Sequence, residues 1–194
     1  MGRVDKIAFD ALEPAFPLTR DPDFVAWVAQ LATLPSSEVA IRRGTASPQD
    51  ARRLRDLQVR CEPITVRSVR ANGATLVEYS VLLAEIEDVH VGYCCFAVGA
   101  QSSAPIIVQV VAVAPEAQRR GIGMKLLTAA SDSDSRRDIV LATQDNNYAA
   151  RALNARFASS IGAVLRRIPL GTYPDNALGI QRGLGYRAWT IERG

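Results

Sequence analysis

The stretch from Ile106 to Ala130 constrains this chain more than any other. Ile106–Val113 reads Ile-Ile-Val-Gln-Val-Val-Ala-Val, an apolar run suited to a strand covered on both faces. Pro115 ends it, because proline has no N–H to give to a ladder. Gly121 and Gly123 then open a segment whose Ile122, Leu126, Leu127 and Ala130 share one face of a helix predicted over 121–130. A buried strand feeding a glycine-opened helix presents free first-turn N–H groups and a partial positive charge, a natural seat for a phosphate. Arg119 and Arg120 add positive charge, and glycine removes the Cβ that would hold an anion off the backbone. Two familiar phosphate loops are excluded. A dinucleotide fingerprint needs a third glycine where Leu126 stands, and a P-loop needs four residues between its glycines and then Lys-Ser/Thr.

Patterns on either side extend this into an alternating chain. Phe24, Trp27, Val28 and Leu31 recur at helical spacing, predicting a short helix over 22–34 inside a proline-punctuated stretch, 1–37, with prolines at 14, 17, 22 and 35. Glu38–Arg43 reads as a strand. Ser47-Pro48-Gln49-Asp50 reads as a helix start, with a capping hydroxyl, a first-position proline and an acid in the first turn. Asn72-Gly73 signals a turn, and Leu76–Ile86 and Val91–Val98 read as strands joined through Glu87-Asp88. Ile139–Thr143 is a further strand, followed by a helix over 147–161 with a stripe at Ala150, Leu153, Phe157 and Ile161, closed by Gly162. Val164–Leu170 and Tyr186–Ile191 are the last strands; residues 171–185 connect them, with room for a short helix. The pattern implies a mixed α/β fold whose sheet is partly antiparallel and partly parallel.

Composition removes several function classes. With 194 residues and 48% apolar content the chain can build one sizeable core. No apolar run is long enough to span a membrane, and Met1–Lys6 does not open like a signal peptide, so a soluble cytoplasmic protein is expected. A single histidine, His90, and three cysteines argue against a zinc site and against a disulfide framework; Cys61, Cys94 and Cys95 read as small buried hydrophobes and no metal is expected. The net charge of +3 comes from 21 Arg and 2 Lys spread along the chain, without the basic tract or interleaved aromatics of a nucleic-acid binder.

The central stretch resembles the GNAT superfamily of acetyl-CoA-dependent N-acetyltransferases. Val113-Ala114-Pro115 followed by Gln118-x-x-Gly121-x-Gly123 is similar to that family's strand-end and cofactor turn at each fixed position. Ile41–Ala51 resembles its first strand and helix start, and Ile139–Gly162 its later strand, asparagine and helix, so the resemblance covers about residues 38–192, with 1–37 as an N-terminal extension. It implies a GNAT-like fold and direct transfer of an acetyl group from acetyl-CoA to a primary amine of a small molecule or protein. It also implies that Val111, Ala112 and Val113 pair with the pantetheine arm, and that Gln118, Arg119, Arg120, Gly121, Ile122, Gly123 and Met124 hold the pyrophosphate. Asn147, with Ala150 three residues on, matches the asparagine that meets the CoA arm; Asn146 with Ala149 also fits.

The family's usual acid and base positions carry neither. The glutamate of the central strand is replaced by Gln109, and the tyrosine seven residues after the asparagine by Asn154. Glu78, Glu85, His90 and Tyr148 are the remaining titratable candidates, and the catalytic residues stay unassigned. An acyl-CoA-binding sensor or scaffold without turnover is the alternative reading. Leu184-Gly185-Tyr186-Arg187 resembles the segment after the family's last helix, so that helix is either 147–161 or 175–183. Lid, dimer contact and core cover all suit residues 1–37.

Overall fold

The computed structural model describes residues 18–194; the start of the chain, with the prolines at 14 and 17 and the Met1–Lys6 segment, lies outside the described residues. Five helices and seven strands follow in the order α1 (Pro22–Ala32), β1 (Ala40–Arg43), α2 (Pro48–Arg60), α3 (Val69–Glu78), β2 (Ser80–Ile86), β3 (Val89–Val98), β4 (Ile106–Val113), α4 (Ile122–Ser131), β5 (Ile139–Gln144), α5 (Tyr148–Ser160), β6 (Val164–Ile168) and β7 (Tyr186–Glu192). The strands form one mixed sheet in the order β1-β2-β3-β4-β5-β7-β6, a mixed α/β, GNAT-like architecture. No described helix is long and apolar enough to cross a membrane.

The chain divides into two compact units: residues up to Tyr93 with Ala112–Ile122, and Cys94–Val111 with Gly123–Gly194. In the first, α2 starts as its sequence dictates. Ser47 Oγ accepts from Asp50 N at 3.2 Å, and Pro48 takes the first turn, where its missing N–H costs nothing. Ala51, Leu54 and Leu57 are buried along one face, and α3 packs against α2. Helix α1 belongs to the same core. Asp21 caps it by accepting from the amides of Asp23 and Phe24, Trp27 and Leu31 are buried, and Trp27 Nε1 donates to His90 O at 3.0 Å.

Two expectations fail in this unit. Asn72-Gly73 does not turn the chain; both residues are buried in the middle of α3. The Asn72 amide finds its complement in Gln58: Gln58 Nε2 donates to Asn72 Oδ1 at 2.9 Å, and Asn72 Nδ2 donates back to Gln58 Oε1 at 3.1 Å. A buried, mutually satisfied amide pair outweighs the local turn preference. Leu76–Glu78 therefore close a helix capped by Ser68, and β2 begins only at Ser80. The Glu87-Asp88 connection stands as expected: φ is 47° and 67°, the left-handed pair that lets a two-residue loop join twisted antiparallel strands.

In the second unit, β5 is parallel to β4 and antiparallel to β7, which pairs with β6. Leu126, Leu127, Ala130, Ile139, Leu141 and Phe157 are buried. A Cβ built on Gly123 would stand 2.9 Å from Leu153 Cδ2, so this glycine lets α4 and α5 approach closely. The final helix is α5; residues 175–183 form turns, which removes the other register. The long β6–β7 connection lies on the sheet, with Leu178 in a buried cluster with Val140 and Ala188.

Candidate functional site

In the first unit, β4 ends where Ala114 N donates to Val91 O at 2.8 Å, and Pro115–Ala117 form one 3-10 turn. Ala114 and Ala117 are fully buried and anchor the turn. The residues between that anchor and buried Ile122 are exposed. Arg119 and Gly121 have φ of 64° and 75°, so the backbone alternates hand on either side of Arg120. At Gly121 an added Cβ meets nothing within 4 Å; glycine is needed there for its dihedral and not for space. Gln118 Nε2 donates to Val113 O at 3.3 Å. The Arg120 guanidinium donates to Leu34 O at 3.3 Å and Pro35 O at 2.5 Å, which ties the chain after α1 to the turn. Arg119 remains exposed. Helix α4 has no acid in its first turn, and its first N–H groups lack intrahelical acceptors by the geometry of any α-helix.

In the second unit, β4 and β5 pair at Ile106↔Ile139, Ile107↔Val140 and Val108↔Leu141, and the ladder stops there. β5 runs on to Gln144 and keeps its pairing to β7 over its whole length, as far as Gln144↔Tyr186. Gln109–Val111 and Ala142–Gln144 therefore leave facing strand edges without a β4–β5 ladder. Unpaired strand edges are templates for any extended chain that can exchange N–H and C=O bonds.

Gln109 stands where the ladder ends. Its Oε1 accepts from the Cys95 thiol at 3.6 Å, and its Nε2 donates to Asn176 O at 3.3 Å. The β6–β7 connection thus closes onto β4. Gly179 has φ of 64°, and a Cβ there would stand 3.3 Å from Gln109 O. At the start of α5, Asn147 is the N-cap: its Oδ1 accepts from Ala150 N at 2.9 Å, and its Nδ2 has no acceptor among the described residues. Asn154, two turns on, is buried.

The titratable candidates separate on geometry. Glu78 is exposed at the end of α3, not on a strand as expected. Glu85 is held by Arg42 at 2.8 Å and Arg53 at 3.2 Å. His90 is buried and stacked on Trp27, centroids 4.5 Å apart, and burial with nearby Arg53 and Arg42 pushes its pKa down to about 3. Tyr148 is 73% exposed on the first turn of α5. Cys61 and Cys94 are buried, and burial pushes the Cys61 thiol up to about 12, out of the range of a reactive thiolate. Among the described residues no group of three or more His, Cys, Asp or Glu is placed to hold a metal ion.

Residues 78–157 match the family model described as the acetyltransferase (GNAT) domain. No curated protein matches the chain by sequence. Among solved structures, diaminobutyrate acetyltransferase from Paenibacillus lautus, in complex with its substrate L-2,4-diaminobutyric acid and coenzyme A, is 20% identical with a TM-score of 0.63, covering 82% of this chain and 100% of that one. A GNAT-family acetyltransferase from Desulfovibrio desulfuricans is 20% identical with a TM-score of 0.56, over 80% and 99% of the two chains. A ribosomal-protein alanine N-acetyltransferase from Escherichia coli is 19% identical with a TM-score of 0.55, over 79% and 92%.

Proposed function

From a chain with the GNAT fold whose residues 78–157 match the GNAT acetyltransferase domain, we infer an acyltransferase that uses acetyl-CoA to acetylate a primary amine. The observation that carries this reading is the end of the β4–β5 ladder after Val108. It leaves backbone donors and acceptors on a strand edge, the partners that the amide-bearing pantetheine arm requires. Val111, Ala112 and Val113 fit that pairing. The amides of Gln118–Met124 fit the pyrophosphate: the exposed turn has two left-handed residues, and no acid in the first turn of α4 opposes a negative charge. The Asn147 side-chain N–H₂ is a remaining donor for the arm. Arg119 supplies charge, while Arg120 serves through its backbone because its guanidinium is bonded to Leu34 and Pro35.

Acetyl-CoA brings the activated acyl group; the protein must bring a neutral amine to it. An alkylammonium with a pKa near 10.4 costs roughly 4.6 kcal/mol to deprotonate at pH 7. Neither Gln109 nor Asn154 takes a proton, so these two positions do not supply that relief; desolvation of the amine or an ordered water can. The same absence favours a second reading, a domain that binds acyl-CoA without turnover.

A thermal-shift series with acetyl-CoA, CoA and NAD tests the first step. Saturable stabilisation by both CoA species and none by NAD is expected, since a ligand that binds only the native state raises its melting temperature. No shift at millimolar acetyl-CoA overturns both readings. Thiol release across a panel of amines then separates them: release with at least one amine supports transfer, and binding without release supports the acyl-CoA sensor.

A further inference from the structure

Helix α5 and the β6–β7 pair border an open pocket of about 440 Å³, lined among others by Tyr148, Arg151, Asn154, Leu165 and Trp189. Its volume suits a small molecule. Trp189 forms one wall. Its Nε1 donates to Thr143 Oγ1 at 3.2 Å, which fixes the ring, and the Arg151 guanidinium carbon lies 5.8 Å from the ring centroid. Arg151 carries no ion pair among the described residues. Arg167 is the cross-strand partner of Trp189 and shares its face of the sheet. Residues 146–174 hold no aspartate or glutamate, and of their four arginines Arg166 faces away and is paired with Glu192 at 2.7 Å.

Asn154 adds a polar group to the same space. It is 5% exposed, borders the pocket, and its amide makes no hydrogen bond among the described residues. Cation, fixed indole and amide thus line one pocket.

We propose that this pocket binds a small ring-bearing anion, its ring against Trp189 beside Tyr148, its phosphate or carboxylate on Arg151, and a polar ring atom on Asn154. Stacking on the indole and pairing with the guanidinium reinforce one another, because the anion and the ring meet the two halves of one preassembled cation–π pair. The site does not depend on acyl transfer, since none of the residues proposed to hold CoA line it.

The test uses the full chain and the emission of its two tryptophans, Trp27 and Trp189. Adenosine 5′-monophosphate, benzoate and inorganic phosphate are titrated in turn, benzoate and phosphate without CoA and the nucleotide both with and without saturating CoA, so that its binding at the CoA site is told apart from binding here. Saturable quenching by the nucleotide or by benzoate at submillimolar concentration is expected, and whichever acts names the head group. Trp189→Phe should abolish the response. Arg151→Gln should raise the dissociation constant at least tenfold, and Asn154→Leu should weaken the nucleotide more than benzoate. Arg151 is exposed, so its variant keeps the fold even if Asn154→Leu does not. No response to either ring-bearing probe at millimolar concentration overturns the proposal. So does an unchanged affinity in Arg151→Gln, or an equal response to phosphate alone. If CoA itself fails to bind, the benzoate arm still reads the pocket.

Discussion

Asp50 and Asp56 lie six residues apart on α2, both almost fully buried, yet their surroundings treat charge in opposite ways. Burial alone would raise the Asp50 carboxyl, but Arg42 donates twice, at 2.7 and 2.9 Å, and Thr45 adds its backbone N–H at 2.8 Å and its hydroxyl at 2.9 Å. Its pKa ends far below the usual carboxylate range. At Asp56 burial prevails and lifts the pKa to about 6. The Arg55 guanidinium is 2.8 Å away, but Oδ1 has no aligned hydrogen bond, and His90 Nε2, 3.9 Å from Oδ2, has none either. Proximity of opposite charges is not enough; the number of aligned donors decides whether a buried carboxylate stays ionised.

Removing Asp50 should cost most. Asp50→Asn leaves Arg42 and Arg53 crowded without their central acceptor, and a loss of about 3–5 kcal/mol in urea denaturation at pH 7 is expected. Asp56→Asn removes a charge that its site already disfavours, and should cost at least about 2 kcal/mol less than Asp50→Asn. Equal losses would mean that aligned donors do not set the difference.

The pH dependence sharpens the contrast. A carboxyl raised to about 6, as at Asp56, stabilises the fold below its unfolded pKa near 3.8 and loses that contribution as pH rises to 6. A histidine lowered to about 3, as at His90, contributes above its unfolded pKa near 6.5 and loses that contribution as pH falls. Between pH 4 and 6 the folded state therefore carries one proton on Asp56 and the unfolded state one on His90, and the two slopes cancel. Asp56→Asn unmasks His90, so its stability should rise with pH in this window by up to about 1.4 kcal/mol per pH unit relative to the unsubstituted protein. Parallel profiles would show that these groups do not titrate as a pair. Asp50 does not enter this window, because its depressed pKa places its contribution above pH 3.8 and its loss below.

The smallest effect belongs to the cap. Ser47→Ala removes the hydroxyl that accepts from Asp50 N, and about 1 kcal/mol should be lost in the same denaturation assay, with the Asp50–Arg42 pairing intact. A loss as large as that of Asp50→Asn would make the cap part of the ion-pair network itself.

Local chemistry made parts of this molecule legible in the sequence. Ser47 and Asn147 cap their helices because short polar side chains compete for first-turn amides. β4 and α4 follow from an apolar run, a proline and two glycines. Features that need partners distant in sequence were not legible. Asn72-Gly73 became helix interior only because Gln58 supplies a complementary amide. The Arg120 side chain reaches back to Leu34 and Pro35, 86 and 85 positions earlier. The end of the β4–β5 ladder was not legible either: Gln109 and Thr143 follow the last paired residues, but a lone polar residue in a strand does not say where pairing to a neighbour stops. Nor was the pocket beside Trp189, which joins α5, β6 and β7 across a gap that periodicity does not measure.

The close approach at Gly123 has an evolutionary corollary. Its missing side chain and the Leu153 methyl share a single space, so the two positions hold one volume in common. Among related sequences a residue larger than glycine at 123 should be accompanied by a smaller one at 153, with the summed bulk conserved. At Gly121, where nothing crowds the missing Cβ, the constraint is a dihedral angle, and substitution there should favour asparagine or aspartate with no answering change elsewhere.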